Sequence, residues 1–128
     1  MRLVSAAVPL FAVAVVLLVT TAASAEPRKL NAREIREALT GNSVEGTWGN
    51  TPYRSYFQPN GVIFYKPRGG PRETGKWRID EENDLYCGWT ARLGWQCYEV
   101  YRDGRTIIWG VPGTEQRYSS RIVGGRPL

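Results

Sequence analysis

Histidine is absent from this 128-residue chain. That absence removes the commonest general base, the Ser-His and Cys-His nucleophile pairs, and most zinc sites. Cysteine is scarce as well: Cys87 and Cys97 are the whole complement, and their spacing is not the C-x-x-C of redox and metal motifs. Ser43, Ser55, Ser119 and Ser120 are therefore left without an evident activator. Glu45, Glu73, Glu99 and Glu115 are scattered, and no spacing pairs two of them for acid–base work. Asp80-Glu81-Glu82-Asn83-Asp84 lacks the alternating oxygen ligands and turn glycine of an EF-hand, so it reads as a solvated acidic turn. The expectation is a protein that is not an enzyme and carries no cofactor or metal.

Charge of one sign is not concentrated. Seventeen Lys/Arg against twelve Asp/Glu give a net charge of +5, a mild surplus without the clustered basic face that nucleic acid demands. At the N-terminus Arg2 precedes an apolar run from Leu3 to Val19, and Ala23-Ser24-Ala25 has the A-x-A form that signal peptidase accepts. Residues 1–25 thus read as a cleaved signal peptide. The apolar core is short for a retained membrane span, and no charged flank follows it. What remains, 26–128, is long enough for one domain with a modest core and too short for two. Two cysteines in an exported chain are expected to form a disulfide, worth about 2–3 kcal/mol for a loop this short.

The chain from Gly75 to Tyr101 holds both cysteines and three of the five tryptophans. Folded as an antiparallel hairpin about Arg92, it sets Cys87 opposite Cys97, Trp89 opposite Trp95, and Tyr86 opposite Tyr98. The cysteine and tryptophan pairs share one face, which is expected to point inward. Glu99 shares that face. A buried carboxylate there would need an arginine or several donors, and the favoured reading is that twist or a bulge returns it to solvent.

Upstream, Glu26-Pro27-Arg28-Lys29 reads as a mobile charged tail. One helix is expected from Asn31 to Thr40, with Asn31 as its cap, Glu34 reaching back, Leu30 and Ile35 as a hydrophobic staple, and Gly41 as its end. From Val44 the pattern turns to short β-branched and aromatic runs between turns. Strands are expected near 44–48, 53–58, 62–66, 75–79, 85–90, 95–101, 106–111 and 117–123. Asn60-Gly61 and Asp103-Gly104 give the strongest hairpin signals. Eight short strands in sequence make a mainly β fold, a small antiparallel meander barrel with the helix at one end or edge; a two-sheet sandwich is the alternative.

Two surface features are candidates for binding. Lys66, Arg68, Arg72, Lys76 and Arg78 flank the Gly69-Gly70 loop, and Arg68 and Arg72 are placed to dock an acidic surface or an anionic envelope component. All aromatic residues but Phe11 follow residue 25, and most must be core. Tyr53, Tyr56, Tyr86 and Tyr98 are the ones expected to reach the surface or a barrel mouth. Gly46-Thr47-Trp48 also matches the G-x-W that opens the first strand of lipocalin-type barrels, in which a late arginine packs over the tryptophan; Arg121 is positioned for that part.

Leu39-Thr40-Gly41-Asn42-Ser43, Tyr53-Arg54-Ser55-Tyr56-Phe57, Pro59-Asn60-Gly61, Gly75-Lys76-Trp77, and Cys87 and Cys97 followed by Tyr98-Glu99-Val100 resemble, in order and spacing, the small exported alphaproteobacterial family called domain of unknown function 995. The resemblance implies a periplasmic location and a single domain with a cysteine pair, and it brings no activity or catalytic residues. The leading functional expectation is a non-enzymatic periplasmic binding or interaction domain engaging a protein or an anionic envelope component. The alternatives are a small-ligand carrier and an inhibitor of an exported hydrolase. A carrier needs an interior cavity of roughly 300 Å³ or more, whereas a docking module is filled by its own rings.

Overall fold

The computed structural model describes residues 3–4, 6–20 and 26–125. The cleavage pattern Ala23-Ser24-Ala25 expected from the sequence, and Arg2 before the apolar run, lie outside the described residues. The described residues up to 20 form no helix or strand, and their large apolar side chains are exposed. Among the described residues, no helix is long and apolar enough to cross a membrane.

Among the described residues a single helix, α1 (Ala32–Leu39), begins where the sequence predicts. Asn31 Oδ1 accepts from the Glu34 amide at 2.9 Å, while Glu34 Oε1 accepts from the Asn31 amide at 3.2 Å. This reciprocal capping satisfies two donors that would otherwise be orphaned, a contribution of about 1 kcal/mol. Arg28 closes on Glu34 at 2.6 Å and holds its carboxyl below the usual carboxylate range, with the Asn31 amide as the next cause. Gly41, at φ +74°, turns the chain out of the helix.

Among the described residues, nine strands follow the predicted order with one addition. They are β1 (Arg28–Lys29), β2 (Ser43–Trp48), β3 (Thr51–Phe57), β4 (Val62–Pro67), β5 (Glu73–Asp80), β6 (Leu85–Thr90), β7 (Gly94–Asp103), β8 (Thr106–Gly110) and β9 (Arg117–Val123). From β2 to β9 every strand pairs antiparallel with the next, and β2 pairs with β9 to close an eight-stranded barrel. Closure leaves these eight strands without a free edge. The sandwich alternative is excluded. The segment expected to be a mobile tail is instead tied down: β1 pairs with β7 through Arg28 opposite Arg102 and Lys29 opposite Tyr101.

The inner face follows strict alternation. Val44 and Gly46 on β2, Tyr53, Ser55 and Phe57 on β3, and Trp77 and Ile79 on β5 point inward with Tyr86, Tyr98, Val100, Ile107 and Trp109. Helix α1 lies across the end where β3 and β7 finish, and it buries Ile35, Ala38 and Leu39 against this set. The acidic turn serves that docking: the Ala32 amide donates to Asp84 Oδ1 at 2.7 Å, and Arg36 pairs with Glu81. Asp80 holds the turn by accepting from Asn83, which lowers its pKa.

Phe57, 1% exposed, is the centre of the plug. Its ring meets Trp77 and Tyr86 edge-on at 5.6 and 5.7 Å and stacks on Trp109 at 6.4 Å. The two indole N–H groups are satisfied within the barrel, Trp77 by the Gln58 carbonyl and Trp109 by Ser120 Oγ. Truncating Phe57 to alanine is expected to cost about 3–5 kcal/mol in a urea melt.

The β6–β7 hairpin has the predicted register and the opposite facing. Cys87 pairs with Cys97, Trp89 with Trp95 and Tyr86 with Tyr98. The tyrosine pair faces the lumen, and the cysteine and tryptophan pairs lie on the outside. The reason lies one strand away: Cys87 stands opposite Arg78, and Trp89 opposite Lys76. Those cations cannot enter an apolar barrel without a large desolvation cost, so their whole cross-strand row is external. The disulfide is formed, with an S–S distance of 2.02 Å.

Candidate ligand cavity

The helix end of the barrel is plugged; the other half is hollow. A cavity of about 390 Å³ runs from Phe57, Tyr86 and Trp109 at its floor to the tip of the β6–β7 hairpin, where Arg92 and Leu93 stand at the open mouth. The loops after β2, β4, β6 and β8 all fall at this end. Trp48 leans on Tyr118 across the rim, with ring centroids 4.9 Å apart, and remains half exposed. An eight-stranded barrel has room either to be filled by side chains or to hold one small ligand, and this one does the first below Phe57 and leaves space for the second above it.

Glycine makes that space. A Cβ on Gly46 would lie 2.7 Å from the Tyr53 hydroxyl, and one on Gly88 would lie 2.7 Å from the Tyr86 hydroxyl. Each glycine lets a phenol lie flat along the wall. Tyr53 also packs on Tyr65, with centroids 5.4 Å apart.

The wall is apolar and aromatic, interrupted by hydroxyls. Tyr86 is 7% exposed, and among the described residues its hydroxyl has no hydrogen-bond partner. Among the described residues no enclosed polar atom is left unsatisfied, so that hydroxyl opens onto the cavity. The hydroxyls of Tyr53 and Tyr98 are likewise without a protein partner among the described residues. Burial pushes Tyr53 up to about 12, with the neighbouring charges of Tyr65 and Tyr98 adding to it. Burial also drives Tyr86 and Tyr98 above the ordinary phenol value, Tyr86 furthest. Among the described residues, the charged side chains of the wall stand toward the mouth, where Glu73 and Arg92 flank Tyr65: burial raises its pKa first, Glu73 adds to the rise and Arg92 opposes it. Among the described residues, no group of three or more acidic or cysteine side chains is arranged to hold a metal.

The structure thus divides the residues singled out from the sequence. Tyr53, Tyr86 and Tyr98 line the cavity, with Tyr86 buried rather than at the surface. Tyr56 lies on the outer face of β3, opposite Phe64. Arg68 borders a shallow outer groove with Lys66 and Arg121, and Arg72 lies over the Phe64 ring at 4.3 Å. Lys76 covers Trp89 and Arg78 covers Trp95, at 5.1 and 4.2 Å. Glu99 is outside with the cysteines, accepting from the Tyr101 hydroxyl at 2.8 Å and 3.9 Å from Lys29 Nζ. No bulge is needed to put it there. Arg121 does not pack over Trp48: it stands on the outer face opposite Glu45 and Thr106, while Trp48 is at the open mouth, so the lipocalin-type pairing is not made.

Ser55, Tyr65, Arg92 and Gly88 line the cavity, and Gly46 backs the Tyr53 phenol; none was among the candidates read from the sequence. Alternation along β3 from Tyr53 was the signal for Ser55; nothing local marks Tyr65. No family model matches the chain, and neither a curated protein nor a solved structure matches it. The resemblance to the exported family rests on the quoted sequence segments alone.

Proposed function

We propose that this protein is a non-enzymatic carrier that holds a small, largely apolar molecule in its barrel, in the oxidising space outside the cytoplasm. The observation that supports it is the cavity of about 390 Å³, open at one end and walled by aromatic rings. This volume exceeds the roughly 300 Å³ below which a barrel interior is too small for a drug-sized ligand. A docking module has no use for that space, because filling it with leucine or phenylalanine would stabilise the fold. The Cys87–Cys97 bond supports the compartment, since such bonds persist where thiols are not kept reduced.

The test is a titration of the purified protein with N-phenyl-1-naphthylamine, an uncharged dye that brightens in apolar surroundings. Saturation at one equivalent, with a rise in Tm, is the expected result. Absence of saturable binding across a panel of compact apolar compounds would sink the carrier reading.

One observation supports docking as a second reading. Arg121, Glu45, Arg54 and Lys66 form a cross-strand row on the outer wall, and Glu45 pairs with Arg54 as the single carboxylate among three cations. Arg68 borders the same groove. An anionic envelope component fits this charge. Charge reversal at Arg68 and Arg72 should abolish retention of anionic vesicles, and unchanged retention counts against it.

A further inference from the structure

The chemistry of the lumen narrows what the barrel holds, an inference that rests on the carrier reading above. Three features of the wall act together. Its apolar rings exclude water from most of a ligand's surface. Among the described residues its deep part contains no charged side chain, so an ionised group there would lose hydration without gaining a counter-ion. Into this deep part open hydroxyls that have no partner in the protein among the described residues: Tyr86 beneath, with Tyr98 directly opposite it on β7, and Tyr53 on β3. Ionised Tyr98 would act on both of the others, which places the three phenols around one volume.

Because these hydroxyls open onto the cavity, water satisfies them in the empty barrel, and a ligand that displaces that water without replacing its hydrogen bonds loses affinity. Phenylalanine would line the same wall without that cost. The glycines opposite or beside these rings reinforce the point, because Gly46 and Gly88 allow the Tyr53 and Tyr86 phenols their present positions. Neutral phenols donate one proton each and can meet lone pairs on a neutral ligand oxygen. They cannot neutralise an anion.

We infer that the barrel takes an uncharged, compact ring-bearing molecule with a carbonyl oxygen, its apolar body against the Phe57 and Trp109 floor and its oxygen, which has two lone pairs, accepting from among the hydroxyls of Tyr53, Tyr86 and Tyr98. A ligand with a carboxylate would have to turn that end to the mouth, where Arg92 stands.

Three naphthalene probes test this on the purified, oxidised protein: 6-propionyl-2-dimethylaminonaphthalene, which has the carbonyl; 2-dimethylamino-6-propylnaphthalene, in which a methylene replaces it; and 6-dimethylamino-2-naphthoate, which is charged. The ketone should bind about three- to tenfold more tightly than the carbonyl-free probe, the factor one buried hydrogen bond supplies, with the carboxylate weakest. At least one of Tyr53→Phe and Tyr98→Phe should reduce that preference, since each removes a hydroxyl and keeps the ring. Tyr86→Phe is read the same way if its near-ultraviolet circular dichroism shows an intact core; the other two variants decide the matter if it does not. Equal binding of ketone and hydrocarbon, with no effect of the phenylalanine variants, overturns the assignment of ligand class while the carrier reading stands. Tightest binding of the carboxylate overturns it in favour of an Arg92-held anion. Binding of none of the three removes the carrier reading with it.

Discussion

Gly46 and Tyr53 face each other across β2 and β3, and the tyrosine hydroxyl occupies the position where any other residue at 46 would put its side chain. The lumen depends on this relationship. With the Cβ absent, the phenol lies along the wall; with it present, the ring must turn into the cavity or push the strands apart.

Gly46→Ala is accordingly expected to destabilise the fold by about 1–3 kcal/mol, as overpacking does, and to weaken dye binding. A urea melt and the dye titration check both. Gly124→Ala supplies the control, since nothing lies within 4 Å of a Cβ there. If the two substitutions behave alike, the steric account of Gly46 is wrong.

The disulfide lies outside the barrel, on the face opposite the cavity-lining Tyr86 and Tyr98. Replacing Cys87 and Cys97 together by alanine should therefore lower stability by about 2–3 kcal/mol, through the freedom returned to the unfolded chain. Dye affinity at low temperature should be unchanged. The measurement is a paired urea melt and titration, and loss of binding in a variant that remains folded would place the cysteines in the site rather than behind it.

Strand boundaries and hairpin register were legible because both are set locally. Asn60-Gly61 and Asp103-Gly104 mark tight turns, and the summed positions of Cys87 and Cys97 fix which residues meet. Facing is not local. Cysteine and tryptophan are the more apolar pair in the β6–β7 hairpin, so that hairpin taken alone turns them inward. Adding β5 reverses the choice: Lys76 and Arg78 must be outside, Trp77 and Ile79 inside, and the pairing of Arg78 with Cys87 carries the facing across. The cavity was least legible, because it depends on residues far apart in sequence, such as Trp48, Gly88 and Tyr118, reaching one volume only after the barrel closes.

The tyrosine cluster sets an alkaline limit on the fold. An exposed phenol titrates near pH 10. Tyr53 is held up to about 12, and burial raises Tyr65, Tyr86 and Tyr98 as well. In each case the folded state keeps a proton that the unfolded chain gives up, so the stabilising difference is fully present below pH 10 and is lost as pH climbs through the folded-state values. Stability in urea should be flat from neutral pH to about pH 9.5 and then fall continuously. Absorbance at 295 nm should show the buried tyrosines ionising together with loss of the near-ultraviolet circular dichroism, well above the exposed ones. Tyr53→Phe removes one such proton and should make the decline shallower. Should all the tyrosines instead titrate near pH 10 while the fold persists, their hydroxyls face bulk water, and the aromatic-walled cavity they define is excluded with them.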